Sequence, residues 1–444
     1  MVVEQMRSSE SSLRNLDWVY PEHVTKVRRI CIMSDMDLFK NDVKQWLEEN
    51  CPHSLRTPTP ENELVWGGKN VNFVTQDMRD WFERMRDKRW FCPGWPSEYG
   101  GGGLSATEVN ILEKEMLRMR CRPPQINLGI WMLGPVLLKY GTEEQKKRLL
   151  LPMTQGEVRW CQGFSEPNAG SDLANIRTSA VDMGDHFLVN GSKIWTSYGD
   201  KSDWMYALVR TDNNASKHAG ISLLALDMAS AGVTPKTIDL ISGKSTFCEV
   251  FFDNVKVPKD NLIGDVNGGW PLAKLLLQHE RSAMSKFGEF SLPNHFHLKT
   301  FVNDYMPKPH TVSETILHAR TVVCDMEERI FNLTVQRMGE EARSGKDVFP
   351  TMSIMKYAHS EQEKVKFELL LDVMGYRALG WQLDGCANDS FSEQELSVTR
   401  GWLNSFTQTI AGGSSEVQLN VIAKRVLNLP DSKAGSSVKK VTTS

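Results

Sequence analysis

The sequence predicts an α+β chain laid out as helices, then a small β domain, then a helical bundle. Apolar residues recur at the i, i+3, i+4 spacing of amphipathic helices toward both ends. Between them stand short β-branched and aromatic runs bounded by turn residues. At 444 residues the chain is too long for one core and fits two or three domains.

Residues 1–32 show no helical order and precede "MSDMDLF", whose Met33 would make a normal start. They read as a poorly ordered N-terminal extension. From 33 to 156 the spacing is helical, and "DLFKNDVKQWLEEN" and "GPVLLKYGTEEQKKRLLLPM" each carry an amphipathic stripe. Residues 157–267 form the expected β domain. "HFLVNGSKIWTS" reads as a hairpin folded at Asn190-Gly191, and "SDWMYALVRT", "GISLLALDM" and "STFCEVFFDNVKVP" read as further strands. After Gly268-Gly269 the helical period returns and runs to residue 430. Residues 431–444, rich in Ser, Lys and Thr, read as a frayed tail.

The 52 basic and 55 acidic residues nearly cancel, which argues against a nucleic-acid or anionic-membrane partner. No run of about 18 apolar residues and no charged-then-apolar leader is present. The eight cysteines are scattered without a C-x-x-C pair, as expected of free thiols in a reducing cytoplasm and not of a disulfide or zinc framework. No metal is expected.

Several segments carry chemistry. "TIAGGSSEVQLN" opens a helix with two glycines and two serines, a backbone that can present N–H groups to an electron-rich partner. "QGFSEPNAGSDLA" is turn punctuation that also offers donors and hydroxyls at the edge of the β domain. "KIWTS" sets Trp195, which looks like a buried strand aromatic, before two hydroxyls.

Together with "GWPSEYGGGGLS", "GTEEQKKRLLLPMTQGE" and "NLIGDVNGGW", these segments resemble the acyl-CoA dehydrogenase family from about Met33 to Pro430, in the family's order and spacing. The resemblance implies an N-terminal helical domain, a central β domain and a C-terminal four-helix bundle. It also implies FAD, an acyl-CoA thioester substrate, an electron-transfer flavoprotein as electron acceptor, and a dimer or tetramer. It assigns Gln162, Gly163, Phe164, Ser165, Trp195, Thr196, Ser197, Asp372, Gly375, Ser414 and Glu416 to the flavin, and Ser171, Arg281 and Gly413 to the substrate.

In better-known members a glutamate stands directly before the Gly-Thr/Ser-Ser of the helix-opening motif and removes the α-proton. Here that position is Gly412, which has no side chain to do so. Its backbone N–H still matches the position that bonds the thioester carbonyl, and one such donor is worth roughly 3 kcal/mol in well-studied cases. The base is expected instead at Glu280 in "LLLQHERSAMS", directly before Arg281, where some branches of the family place it. Apolar neighbours Leu275, Leu276 and Leu277 would raise a carboxylate's proton affinity there. His279 would face about 100° away and reads as structural.

The chain departs from the family after the first bundle helix. The usual Arg-x-x-Phe-Gly segment, which reaches a neighbouring subunit's FAD, is missing, and "DVMGYRAL" replaces a Gly-rich contact loop. A hetero-oligomer is therefore an open reading. The functional expectation is α,β-dehydrogenation, with Glu280 taking the α-proton and flavin N5 the β-hydride. The alternatives are a flavin oxidase or monooxygenase, or a non-catalytic subunit. Phe287, Phe290 and Phe296 hint at a compact acyl chain.

Overall fold

The computed structural model describes residues 35–243, 245–290, 298–381 and 390–430; the side chains of residues 61, 281–290 and 343 lie outside that description. The N-terminal extension, the C-terminal tail, Phe296 and the side chains of Arg281, Phe287 and Phe290 therefore fall outside the described residues.

The first part holds α1 (Asp35–Asn50), α2 (Gln76–Asp87), α3 (Ala106–Arg118), α4 (Gly134–Tyr140) and the short turns α5 (Glu143–Gln145) and α6 (Leu151–Thr154). Local chemistry starts these helices. The Thr75 hydroxyl accepts from Met78 N, and Ser105 and Glu108 form a capping box at α3. The stripe expected over "GPVLLKYGTEEQKKRLLLPM" is not one helix. Gly141 is extended, with ψ of 148°, and Thr142 and Gln145 close a second capping box that starts α5. The cap signal outweighs the continuous apolar stripe.

Among the described residues the β domain is one eight-stranded sheet. Its strands are β1 (Trp160–Gly163), β2 (Ser179–Asp182), β3 (His186–Ser197), β4 (Trp204–Arg210), β5 (Ile221–Asp227), β6 (Val233–Ile238), β7 (Phe247–Pro258) and β8 (Leu262–Ile263). The order is β6-β7-β3-β2-β4-β5-β8, and β1 lies parallel to β4 in the register Gln162 to Tyr206.

The hairpin expected at Asn190-Gly191 is not there. β3 runs straight through, and the pair forms a bulge against β7, where Asn190 Oδ1 accepts from Asn254 N at 2.8 Å. Gly191 sits at φ +140°, and a Cβ on it would stand 2.8 Å from Thr178 Cα, so glycine admits the neighbouring chain. The true β2–β3 turn lies at Met183–Asp185, where Gly184 has φ +95° and donates to Asp182 Oδ1.

Side-chain alternation divides the central strands between two cores. Cys161, Met205, Val209 and Leu224 fill one with Val189, Cys248 and Val250. Trp160, Tyr206 and Leu223 face the other, with the N-terminal helices and with Leu272, Ala273 and Leu276. Those last three lie on α7 (Gly269–Phe290), followed by α8 (Leu298–Tyr305), α9 (Val312–Arg343), α10 (Phe349–Met374), α11 (Glu393–Gln408) and α12 (Ser415–Val421). A third core joins α8, α10 and α11 through Phe301, Leu370, Val373 and Val398.

Among the described residues, no helix is long and apolar enough to cross a membrane, and no acid, His or Cys group could hold a metal. The six described cysteines are unbonded and buried.

Candidate active site

Glu280 is placed by α7. Leu276, one turn earlier, is fully buried, and the same helical face carries the half-buried Glu280 to the edge of that core. There β1 meets it. Gln162 Nε2 donates to Glu280 Oε2 at 3.3 Å, and the fully buried Tyr206 hydroxyl donates to Gln162 Oε1 at 3.0 Å. Met132 Sδ lies 3.1 Å from the same hydroxyl. Burial, with the Glu280 charge adding to it, holds the Tyr206 phenol far above its usual pKa. Burial pushes His279 down.

Opposite Glu280 stands the turn between α11 and α12. Gly412 and Gly413 have φ of +64° and +91°, the left-handed region that side chains avoid. A Cβ on Gly412 would lie 3.7 Å from Glu280 Oε1 and 3.9 Å from Lys356 Cε. The carboxylate and the position lacking one are thus brought together from separate helices.

The turn is tied down. Gln418 Nε2 donates to Gly412 O at 3.2 Å, Ser414 Oγ caps α12, and Lys356 Nζ donates to Gln408 O at 2.7 Å. Burial lowers the Lys356 pKa, against the pull of Glu361, Glu280 and Glu416. Glu416 is exposed on the first turn of α12, and its own backbone N–H and Ser414 hold its carboxyl below the usual range.

The two segments assigned to flavin run side by side. Ile194 N donates to Ser165 O at 2.9 Å, and the completely buried Lys193 reaches Phe164 O at 3.2 Å and Glu166 Oε1 at 2.7 Å. Glu166 also accepts from Arg177 N and Thr178 N. Burial drives Lys193 down to about 8 while Glu166 resists. Burial likewise works to raise the Glu166 carboxyl, but the Lys193 charge and the hydrogen bonds win and leave it below its usual range.

Trp195, buried-looking in the sequence and assigned to the flavin, is not a core aromatic. It is 54% exposed at φ +60°, where β3 slips register against β7, with its ring edge-on to Phe247 at 6.1 Å. The slip turns out of the core a side chain that strict alternation would have placed inside. Thr196 Oγ1 beside it is buried without a hydrogen-bond partner, and Ser197 pairs with Phe247 of β7. Phe164 is buried edge-on to Tyr206 at 6.0 Å, and Gly163 packs on Met205.

Other assigned residues stand apart. Ser171 is exposed on the loop after β1. Asp372 pairs with Arg320 at 2.6 Å, and Gly375 ends α10. Sixteen residues separate Asp372 from Lys356 along α10, about 24 Å at the helical rise, so one chain does not unite them with Glu280. A surface groove of about 450 Å³ lined by Arg148, Trp204, Asp227 and Lys256 contains none of the assigned residues.

Sequence reasoning missed Tyr206, Lys356 and the Glu166–Lys193 pair. The signal for the pair was a lysine amid the apolar run of "SKIW", together with the glutamate of "SEP". Neither Tyr206 nor Lys356 left a local sign.

Models of the N-terminal, middle and C-terminal domains of acyl-CoA dehydrogenases match residues 65–157, 161–255 and 308–427. "Acyl-CoA dehydrogenase IpdE1" of Mycobacterium tuberculosis is 32% identical over 91% of this chain and 100% of its own length. Its namesake in Mycolicibacterium smegmatis is 30% identical over 90% and 99%. Among solved structures, the ChsE4-ChsE5 complex from Mycobacterium tuberculosis is similar at 27% identity and TM-score 0.67, over 91% of this chain and 100% of that one. The Tcur3481-Tcur3483 steroid ACAD is similar at 25% identity and TM-score 0.71, over 89% and 98%.

Proposed function

The chain belongs to the acyl-CoA dehydrogenase family of oxidoreductases, and we propose that it is an FAD-dependent α,β-dehydrogenase of acyl-CoA thioesters with Glu280 as the α-proton base. One observation carries this reading: Glu280 Oε1 lies 3.7 Å from the point where a Gly412 side chain would begin. A carboxylate there reaches the region that a glutamate at 412 would serve, and the glycine leaves it clear.

The residues present fit a flavin. Thr196 offers an orphaned buried hydroxyl, and Trp195 holds a half-exposed ring beside it. Ser165, Trp195, Thr196 and Ser197 would hold FAD, which supplies the acceptor for the β-hydride when bound. Glu280 accepts the α-proton, and the Gly412 N–H is assigned to the thioester carbonyl, whose developing negative charge it would stabilise.

Asp372 and Gly375, remote from Glu280 in one chain, are assigned to a second chain's cofactor. This suits a multi-chain enzyme, and a hetero-oligomer follows the pattern of the ChsE4-ChsE5 complex. Electrons would leave to an electron-transfer flavoprotein, in a reducing cytoplasm that keeps the thiols free.

The test is anaerobic flavin bleaching by a panel of acyl-CoA thioesters. The panel includes steroid-borne acyl groups, because one relative is a steroid ACAD. The purified chain, alone or with its partner, should carry noncovalent FAD and bleach with at least one thioester while releasing the 2-enoyl-CoA. Fast reoxidation of the reduced flavin by oxygen would favour an oxidase instead.

A further inference from the structure

The turn that presents Gly412 is held at both ends by one helix. α10 packs against α11 and α12, the two helices that the turn joins. Before the turn, Lys356 Nζ donates to Gln408 O, on the last residue of α11, at 2.7 Å. After it, Ser415 Oγ, on the first residue of α12, donates to Glu361 Oε1 at 2.7 Å. The two side chains stand five residues apart on α10, about 7.5 Å at the helical rise. The ammonium meets the carbonyl end of α11, where unpaired C=O groups favour a cation.

Such a grip answers a local need. Gly412 and Gly413 both take the left-handed conformation, and glycine gives up more conformational freedom on ordering than any other residue. The turn's own bonds, Ala411 N to Thr407 O at 2.8 Å and Ser415 N to Thr409 O at 2.9 Å, leave the glycines between them. Gln418 holds Gly412 O, but the Gly412 N–H belongs to the preceding peptide. Among the described residues that N–H donates to no group, so the chain held around it sets its direction.

We propose that Lys356 and Glu361 are positioning residues: they clamp the turn at 408 and 415 and so fix where the Gly412 N–H meets the thioester carbonyl. This rests on that carbonyl assignment and not on which group takes the α-proton. Negative charge grows on the thioester oxygen as the α-proton leaves, and a donor stabilises it best when already aimed there. Lys356 also brings its positive charge close, with Cε 3.9 Å from where a Gly412 side chain would begin. Glu361, Glu280 and Glu416 act on that ammonium in turn.

The test breaks each tether in the full chain, with its partner where assembly requires one. Lys356→Met keeps length without the donor, Glu361→Leu removes the acceptor, and Glu361→Gln keeps an oxygen for Ser415. Hydrogen–deuterium exchange is read first, at the Ala411 and Ser415 amides of the unliganded protein. Each broken tether should quicken it by about tenfold, as for one lost hydrogen bond to a charged group, and Glu361→Gln should keep it slow. The limiting rate of anaerobic flavin reduction should fall by about 10–100-fold, the cost of a misplaced group. The apparent Kd for acyl-CoA should change less than that rate. Infrared difference spectra of the bound 2-enoyl-CoA should show its carbonyl stretch moving back toward the solution frequency.

FAD content and melting temperature separate these effects from misfolding, and if Lys356→Met fails to fold, Glu361→Leu decides. Exchange needs no ligand, so native exchange in the folded variants would overturn the clamp whichever thioester binds. Faster exchange with an unmoved carbonyl stretch and rate would make the tethers structural only and overturn the positioning role. A carbonyl that keeps its solution frequency in the native protein would overturn the Gly412 assignment and the proposal with it. Native-rate reduction by Glu280→Gln is a separate result, which overturns the base and leaves the clamp standing.

Discussion

Strands β4 and β5 cover their apolar side chains within the chain, whereas α9 does not. On β4 and β5 nearly every side chain is buried, including Met205 to Val209 and Ile221 to Leu226. On α9, Ile316, Val323, Met326, Ile330 and Leu333 remain 54–60% exposed, at the seven-residue spacing of a helix-packing seam. The "GFS" and "WTS" segments are joined within one polypeptide by the Ile194–Ser165 backbone bond and by Lys193. The wall that carries Glu280 and Gly412 belongs to a region whose remaining surface suits another chain.

The sharpest way to break this picture is at the meeting of the two walls. Glu280→Gln keeps volume and hydrogen bonding but cannot take a proton from carbon. Anaerobic flavin reduction should slow by at least the roughly 10²–10⁴-fold of a lost general base, while acyl-CoA and FAD still bind. Stopped-flow absorbance checks this, and a variant reducing at nearly the native rate would send the search to Glu416.

The β wall should fail by unfolding instead. Lys193→Met leaves Glu166 buried without its partner, a loss of about 3–5 kcal/mol for broken buried pairs. Denaturant unfolding should register it, together with FAD release at lower denaturant. A midpoint within error of the native one would show that the backbone donors of Arg177 and Thr178 suffice for the carboxylate.

The bundle has its own ion pair. The bidentate Arg377 guanidinium holds the buried Glu395 carboxyl down to about 2, with further bonds from Ser392 N and Tyr305. Because the folded pKa is depressed, the stabilisation is present above the ordinary 4.5 and fades as pH falls toward 2, by about 3 kcal/mol in all. Melting curves across that window should show the loss in the native chain. In Glu395→Gln the part due to this group should be absent, and equal slopes would refute it.

The smallest effect on fold stability belongs to α9. Val323→Asp with Ile330→Asp changes only exposed positions, so the isolated fold should shift by no more than about 0.5 kcal/mol per substitution. The assembly should nonetheless fall to smaller species in sedimentation. Unchanged mass would mean that this face covers nothing.

Much of the fold was legible from period alone, because helical stripes and β-rich runs are written locally. The family motifs made the segments assigned to flavin, and the glycine at 412, readable as well. The misreadings share a cause. Asn190-Gly191 suits a hairpin or a bulge equally, and the choice fell to Thr178, a residue of another segment that passes within reach. Trp195 looked buried in its strand, and the register slip against β7 turns it outward. By itself the sequence determined the three-part order, the helix starts set by capping residues, and the missing glutamate at 412. Only the tertiary structure decided that Gln162 meets Glu280 and that Lys193 and Glu166 join the segment at 193–197 to the one at 162–166. Caps and periodicity act within a few residues of one chain, whereas these pairings span 27 to 118 residues and exist only once the cores have closed.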